Sequence, residues 1–192
     1  MSSERDGKAR AATSEGDAAG KDRDGRARCI AVAVAGTIYG LRVEEVQEVL
    51  GLRPLTRVFH APPALAGVTS LRGEVLPVLD LGALVGAPVA APAAAVAPSI
   101  EVPGATRAEA RIVVVREAAG ERRRAGLLVD ALRGLRVLPP ELAPVPATAS
   151  EPVQRLVVGV IPDAPPCSVV SVPSVLGAPE LAELAGRATA SA

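Results

Sequence analysis

From residue 28 onward the chain alternates between short apolar runs and turn signals. "RCIAVAVAGTIYGLRV", residues 28–43, is two runs of β-branched and small apolar residues separated by Ala35-Gly36, the pattern of a hairpin. "VEEVQEVLG" changes period: Val43, Val46, Val49 and Leu50 fall at helical spacing, with polar residues between them and Gly51 placed to end the turn. "RPLTRVFHAPPALAG" predicts a strand, a proline-bounded loop and one helical turn. "GVTSLRGEVLPVLDLGALVG", residues 67–86, predicts a second hairpin hinged at Arg72-Gly73. After the Ala/Pro-rich stretch 87–110, "RIVVVREAAGERRRAGLLVDALRGL" restarts the strand–turn–strand pattern.

The restart repeats what came before. With Gly40 set on Gly126, Leu41 meets Leu127, Val43 meets Val129 and Val46 meets Leu132. Both copies continue through prolines to an apolar run containing Gly67 or Gly159 and finish alike, "PVLDLGALVG" against "SVVSVPSVLG". The pattern predicts an internal duplication of a small β unit, about residues 28–86 and 111–177, and an all-β fold with short helices: two similar barrels packed together. Gly40, Gly67 and Gly73 are expected at turns. Residues 1–27 and 187–192 have too little large apolar surface to offset ordering entropy and are expected to be disordered, with 87–110 an inserted surface loop.

Composition narrows the chemistry. The chain is 49% hydrophobic yet has one Phe, one Tyr and no Trp, so its core is aliphatic. Lys+Arg and Asp+Glu balance at 21 each, and "ERRRAG" at 121–126, the densest basic run, reads as a solvated hairpin turn. Neither a basic patch nor an aromatic stacking platform for nucleic acid is present. The chain has no signal peptide pattern and no long apolar span, so a cytoplasmic protein with reduced thiols and no membrane insertion is expected; a Cys29–Cys167 disulfide stays open. His60 is the single histidine and reads as a surface loop residue; neither a metal-ligand spacing nor a nucleophile motif accompanies it.

Comparing the copies exposes one asymmetry. Glu48 falls on Gly134, and the "LRGE" turn of the first copy becomes "VIPDAPP", without an arginine. Glu48 and Arg72 therefore stand out as a pair belonging to the first unit alone.

"YGLRVEEVQEVL" followed by "LTRVFHAPPALAGVTSLRGEVLPVLDL" resembles the CheW-like domain of bacterial chemosensory systems, and "AGLLVDALRGLRVLPPELAPVP" resembles that family's second half. The resemblance spans residues 28–186. Ser70 stands where the family usually has Asn, the first strand lacks aromatics, the 87–110 insertion is long, and Ser171 and Pro173 replace a common Asp-Leu pair. The resemblance implies two five-stranded β-barrel subdomains and a non-catalytic adaptor with no cofactor and no metal. It implies coupling of chemoreceptors, through their cytoplasmic tips, to a CheA-type histidine kinase, through that kinase's CheW-like regulatory domain, at membrane-associated or cytoplasmic arrays. It maps the family's Glu and Arg onto Glu48 and Arg72 and its apolar protein contacts onto Val43 and Val46; from these we expect a structural ion pair between Glu48 and Arg72 and partner contacts at Val43, Val46, Glu48, Val49 and Arg72. Two other readings are a structural array component that binds only other CheW-like domains, and a two-barrel protein that binds a small ligand between its halves.

Overall fold

The computed structural model describes residues 25–87, 109–117, 123–179 and 181. The two expected disordered tails, apart from residues 25–27, and nearly all of the 87–110 insertion lie outside these residues.

Among the described residues ten strands carry the fold: β1 Arg28–Val34, β2 Thr37–Arg42, β3 Val46–Gly51, β4 Leu65–Leu71, β5 Glu74–Asp80, β6 Arg111–Arg116, β7 Arg124–Val129, β8 Ala131–Val137, β9 Val157–Ile161 and β10 Cys167–Val170. Three short helices follow them in places, α1 Leu81–Leu84, α2 Glu151–Leu156 and α3 Val172–Leu176. The strands form two five-stranded sheets, β8-β1-β2-β10-β9 and β3-β6-β7-β5-β4. We call them the Arg136 sheet and the Arg72 sheet after the side chains that distinguish them.

The two orders are the same order written twice. β8, β1, β2, β10 and β9 occupy the places of β3, β6, β7, β5 and β4. Gly40 lies opposite Ala31 on an antiparallel neighbour and Val169 on a parallel one; Gly126 lies opposite Val114 and Val78 in the same way. The duplication is thus present, but each sheet joins the leading hairpin of one copy to the last three strands of the other. The units 28–86 and 111–177 exchange hairpins, so a unit of sequence is not a sheet of structure. The exchange is made at two crossovers: Val43–Glu45, one 3-10 turn, carries the chain from β2 to β3, and Asp130 carries it from β7 to β8.

The helix expected over "VEEVQEVLG" is limited to that 3-10 turn; residues 46–51 are strand β3. The same residues satisfy both periods, because Val46, Glu48 and Leu50 also alternate with Gln47 and Val49, and pairing with β6 decides in favour of the strand. The "APPALAG" segment forms a turn, with Leu65 N–H donating to Pro62 O, and no helix.

Each sheet rolls until its edges meet but does not close into a barrel. Edge strands are joined by one two-bond bridge apiece, Thr56–Val68 and Ala143–Val160. Pro54, and Pro139 with Pro140, stand between the edge strand and the bridge; proline has no N–H to donate, so the ladder cannot run on. Gly67 and Gly159 sit at these bridges. A Cβ on Gly67 would lie 2.7 Å from Thr56 O, and one on Gly159 would lie 2.5 Å from Leu142 Cβ and 3.0 Å from Ala143 O. Of the three glycines expected at turns, only Gly73 is in one; Gly40 is inside β2 and Gly67 inside β4, where close approach is what requires them.

The main core lies between the sheets and draws Val32, Val34, Leu41, Leu79, Val113, Leu127 and Val170 from both, with Leu156 at the end of α2. Tyr39 belongs to it; Phe59 does not and is 88% exposed. Smaller clusters fill the inside of each roll: Cys29, Leu138, Ile161, Cys167 and Val169 in the Arg136 sheet, and Leu71, Leu76, Val78, Ile112, Val114 and Leu128 in the Arg72 sheet. Among the described residues no helix is long and apolar enough to cross a membrane.

Candidate functional site

Arg72 and Gly73 are the two central residues of the β4–β5 turn, and both have positive φ, 52° and 83°. A two-residue hairpin turn that follows the twist of its strands demands this, and it favours Asn or Gly at the first position. An arginine there accepts backbone strain, on the order of 1 kcal/mol, that its side chain must offset.

The side chain reaches across the seam. Arg72 Nη2 donates to Glu48 Oε2 at 3.3 Å and lies 3.2 Å from Oε1. Glu48 stands on edge strand β3 and Arg72 at the end of the opposite edge strand, β4, so the pair exists only because the sheet rolls. The arginine is the outer member, 72% exposed against 22% for the glutamate, whose Oε1 is shielded and receives no hydrogen bond. Between this pair and the Thr56–Val68 bridge, Thr69 Oγ1 donates to Pro54 O and Arg53 Nη1 to Ser70 O. Side chains thus stitch the part of the seam that the backbone leaves open.

The turn is held on its other side as well. Glu74 pairs with Arg124 on β7, so this part of the basic run at 121–126 is a sheltered ion-pair partner and not a solvated turn charge. The five residues expected at partner contacts divide by face. Val43 is half-buried in the crossover and Val46, opposite Val115, packs against the main core; a bulge between Val46 and Glu48 turns Glu48, opposite Val114, to the other side of β3, the inside of the roll. Val49 points the other way and is exposed, as is Arg72. Glu48 and Arg72 are brought together, whereas Val49 does not share their face. Val75, 72% exposed beside the turn, was not singled out from sequence; alternation along "GEVLPVLD" carries its signal.

The asymmetry inferred between the copies is overturned. Arg136 on β8 donates through Nη1 to Pro165 O at 2.7 Å and lies 3.9 Å from Asp163 Oδ2, in the turn between β9 and β10. This is the equivalent seam of the Arg136 sheet, two residues farther along its edge strand, with the signs exchanged: the strand residue Arg136 is sheltered and the turn residue Asp163 exposed. Aligning the turns hides it, because "VIPDAPP" has no arginine and the arginine lies two residues beyond Gly134, on the same face of its strand.

Cys29 and Cys167 are free, buried and close: a Cβ on Gly40 would lie 3.0 and 3.1 Å from their sulfurs. The Cys167 thiol donates to Cys29, which holds Cys29 below the ordinary thiol value and, with burial, pushes Cys167 up. Their strands flank β2 and so stand about 9–10 Å apart, farther than a disulfide spans. His60 is exposed in its loop at positive φ. Among the described residues no three His, Cys, Asp or Glu gather as metal ligands.

Comparison with known proteins agrees with this arrangement. The CheW-like domain pattern matches residues 28–180. A chemotaxis protein CheW of Rhizobium meliloti is 30% identical over 129 residues, 67% of this chain and 72% of that protein. A probable chemotaxis protein CheW of Rhizobium etli is 28% identical over 133 residues, 69% of this chain and 75% of that protein. A chemotaxis protein CheW of Klebsiella aerogenes is 42% identical over a shorter segment of 43 residues, 22% of this chain and 26% of that protein. The scaffolding protein TtCheW of Thermoanaerobacter tengcongensis has the same fold, with a TM-score of 0.59 at 22% identity over 77% of this chain and 85% of that one.

Proposed function

The chain belongs to the CheW-like domain family, the chemotaxis coupling adaptors, and from that premise we propose that it links chemoreceptor tips to a CheA-type histidine kinase without catalysing a reaction. The observation that carries this reading is the clasped seam of the Arg72 sheet. A sheltered Glu48 holds an exposed Arg72 in a fixed place near the exposed Val75 that follows the turn, while Val49 is exposed on the other face of β3. A fixed charge next to apolar area is what a protein interface uses: apolar burial supplies affinity, and the charge sets register and excludes wrong partners. Glu48, Arg72, Val49, Val43 and Val46 are the residues through which we assign docking, in the cytoplasm at receptor arrays.

The test is sedimentation of the purified chain with the kinase's CheW-like regulatory domain and with a receptor-tip fragment, added separately. Both are expected to co-sediment, and Arg72→Ala is expected to weaken kinase-domain binding at least tenfold while leaving the melting temperature nearly unchanged. Unaltered binding by Arg72→Ala and Val49→Asp sinks the docking assignment.

One observation favours a second reading, assembly with CheW-like domains alone. Arg72 is exposed on one sheet and Asp163 on the equivalent turn of the other, so the two turns of neighbouring copies are complementary in charge. In that case the chain self-associates in the same experiment and the receptor fragment stays free.

A further inference from the structure

Glu45 is the one charged or polar residue that is buried among the described residues, at 8% exposure. It sits in the three-residue turn that carries the chain from β2 in the Arg136 sheet to β3 in the Arg72 sheet. Its Oε2 is shielded and receives no hydrogen bond. Arg42, the cation that acts on it, is engaged at 3.8 Å by the other acid of the turn, Glu44. The crossover between β7 and β8 handles its acid differently: Asp130 Oδ2 accepts the Ala35 N–H at 2.8 Å. Burying a carboxylate with an unpaired oxygen costs far more than burying its neutral acid.

We propose that Glu45 makes this crossover a proton-operated latch, closed against β1 while the carboxyl holds its proton and released when it ionises. The surroundings agree. Burial lifts Glu45 from the ordinary 4.5 to about 7, Arg42 opposes that shift and Glu44 adds to it. β1, the strand on which the turn packs, carries Arg28 and Cys29 at its start and otherwise Ile, Ala and Val. The strand released by the latch is β3, which holds Val46, Glu48 and Val49. The consequence for partner binding rests on the docking reading above; the latch itself does not.

The sign follows from proton linkage. The closed form holds its proton up to about pH 7 and the open form only up to about 4.5, so closing weakens as pH rises through that window and levels off above it. With those two values, the opening equilibrium rises roughly tenfold between pH 6 and pH 8.

Carbon-detected NMR titration of the Glu45 carboxyl, with amide exchange over residues 43–48 corrected for intrinsic rates, measures this directly. The expected results are a midpoint near 7, a roughly tenfold rise in opening from pH 6 to pH 8 in the native chain, and none in Glu45→Gln. A midpoint below 5, or the same pH dependence in Glu45→Gln, overturns the latch; the native-chain midpoint decides alone if the variant does not fold. Kinase-domain binding at the two pH values then separates the readings. Equal binding alongside a confirmed latch counts against docking through β3 and leaves the latch standing.

Discussion

The two sheets have the same strand order, the same glycines at the same crossings and the same kind of seam, yet their seam charges are opposite. In the Arg72 sheet the edge strand offers a sheltered acid and the turn an exposed base; in the Arg136 sheet the edge strand offers a sheltered base and the turn an exposed acid. Both arrangements hold a rolled sheet together where prolines stop the ladder. Folding therefore needs a polar tie at this place and is indifferent to its sign. What the sign does change is the outward charge, a cation on one subdomain and an anion on the other. Tying the seam is common to both halves, and the outward charge is where they differ.

The comparison can be broken first at the bridges. Gly67→Ala and Gly159→Ala each force a Cβ into backbone or packed side chain, and Gly67 adds a φ of 152°. Each is expected to lose about 3 kcal/mol of unfolding free energy in denaturant titration. A large loss at one and none at the other ends the claim that the seams are equivalent. Next come the ties themselves. Arg136→Ala removes a hydrogen bond from a sheltered guanidinium and is expected to cost about 2 kcal/mol. Arg72→Ala removes an exposed partner and should cost no more than about 1 kcal/mol.

The helices after the last strands provide a matched pair of smaller effects. Asp80 accepts from Ala83 N–H, and Ser171 from Ser174 N–H, as N-caps of α1 and α3. Alanine at either is expected to lower stability by about 1 kcal/mol, read from the melting curve. The sharpest test has the smallest effect on folding. Glu48→Arg combined with Arg72→Asp writes the polarity of the Arg136 sheet onto the Arg72 sheet. Stability is expected to change by less than about 1 kcal/mol, while kinase-domain binding falls at least tenfold. Retained binding would mean that the outward charge carries no recognition.

Much of this was legible in residues taken one at a time. The Gly40–Gly126 and Gly67–Gly159 matches were legible as a repeat, with turns expected at Gly40 and Gly67; the structure shows that they lie where a strand passes too close for a side chain. Glu48 and Arg72 were legible as a pair through the family pattern, and the structure brings them within hydrogen-bonding distance. The helix misread at 43–50 has a physical cause: apolar residues three and four apart fit one face of a helix, and alternate positions of the same segment fit a strand edge. Arg136 and Asp163 were missed because their contact spans a seam between elements, and neither residue is unusual where it stands.

The sequence by itself determined that most segments are extended, that a β unit is duplicated with its glycines in matching places, and that the core is aliphatic. These follow from side-chain volume, branching and the missing proline N–H, which act within a few residues. The tertiary structure alone decided that the copies exchange hairpins, that the rolls stay open, and which charges meet. Those depend on pairings between segments distant in sequence, where burial between the sheets outweighs any local preference.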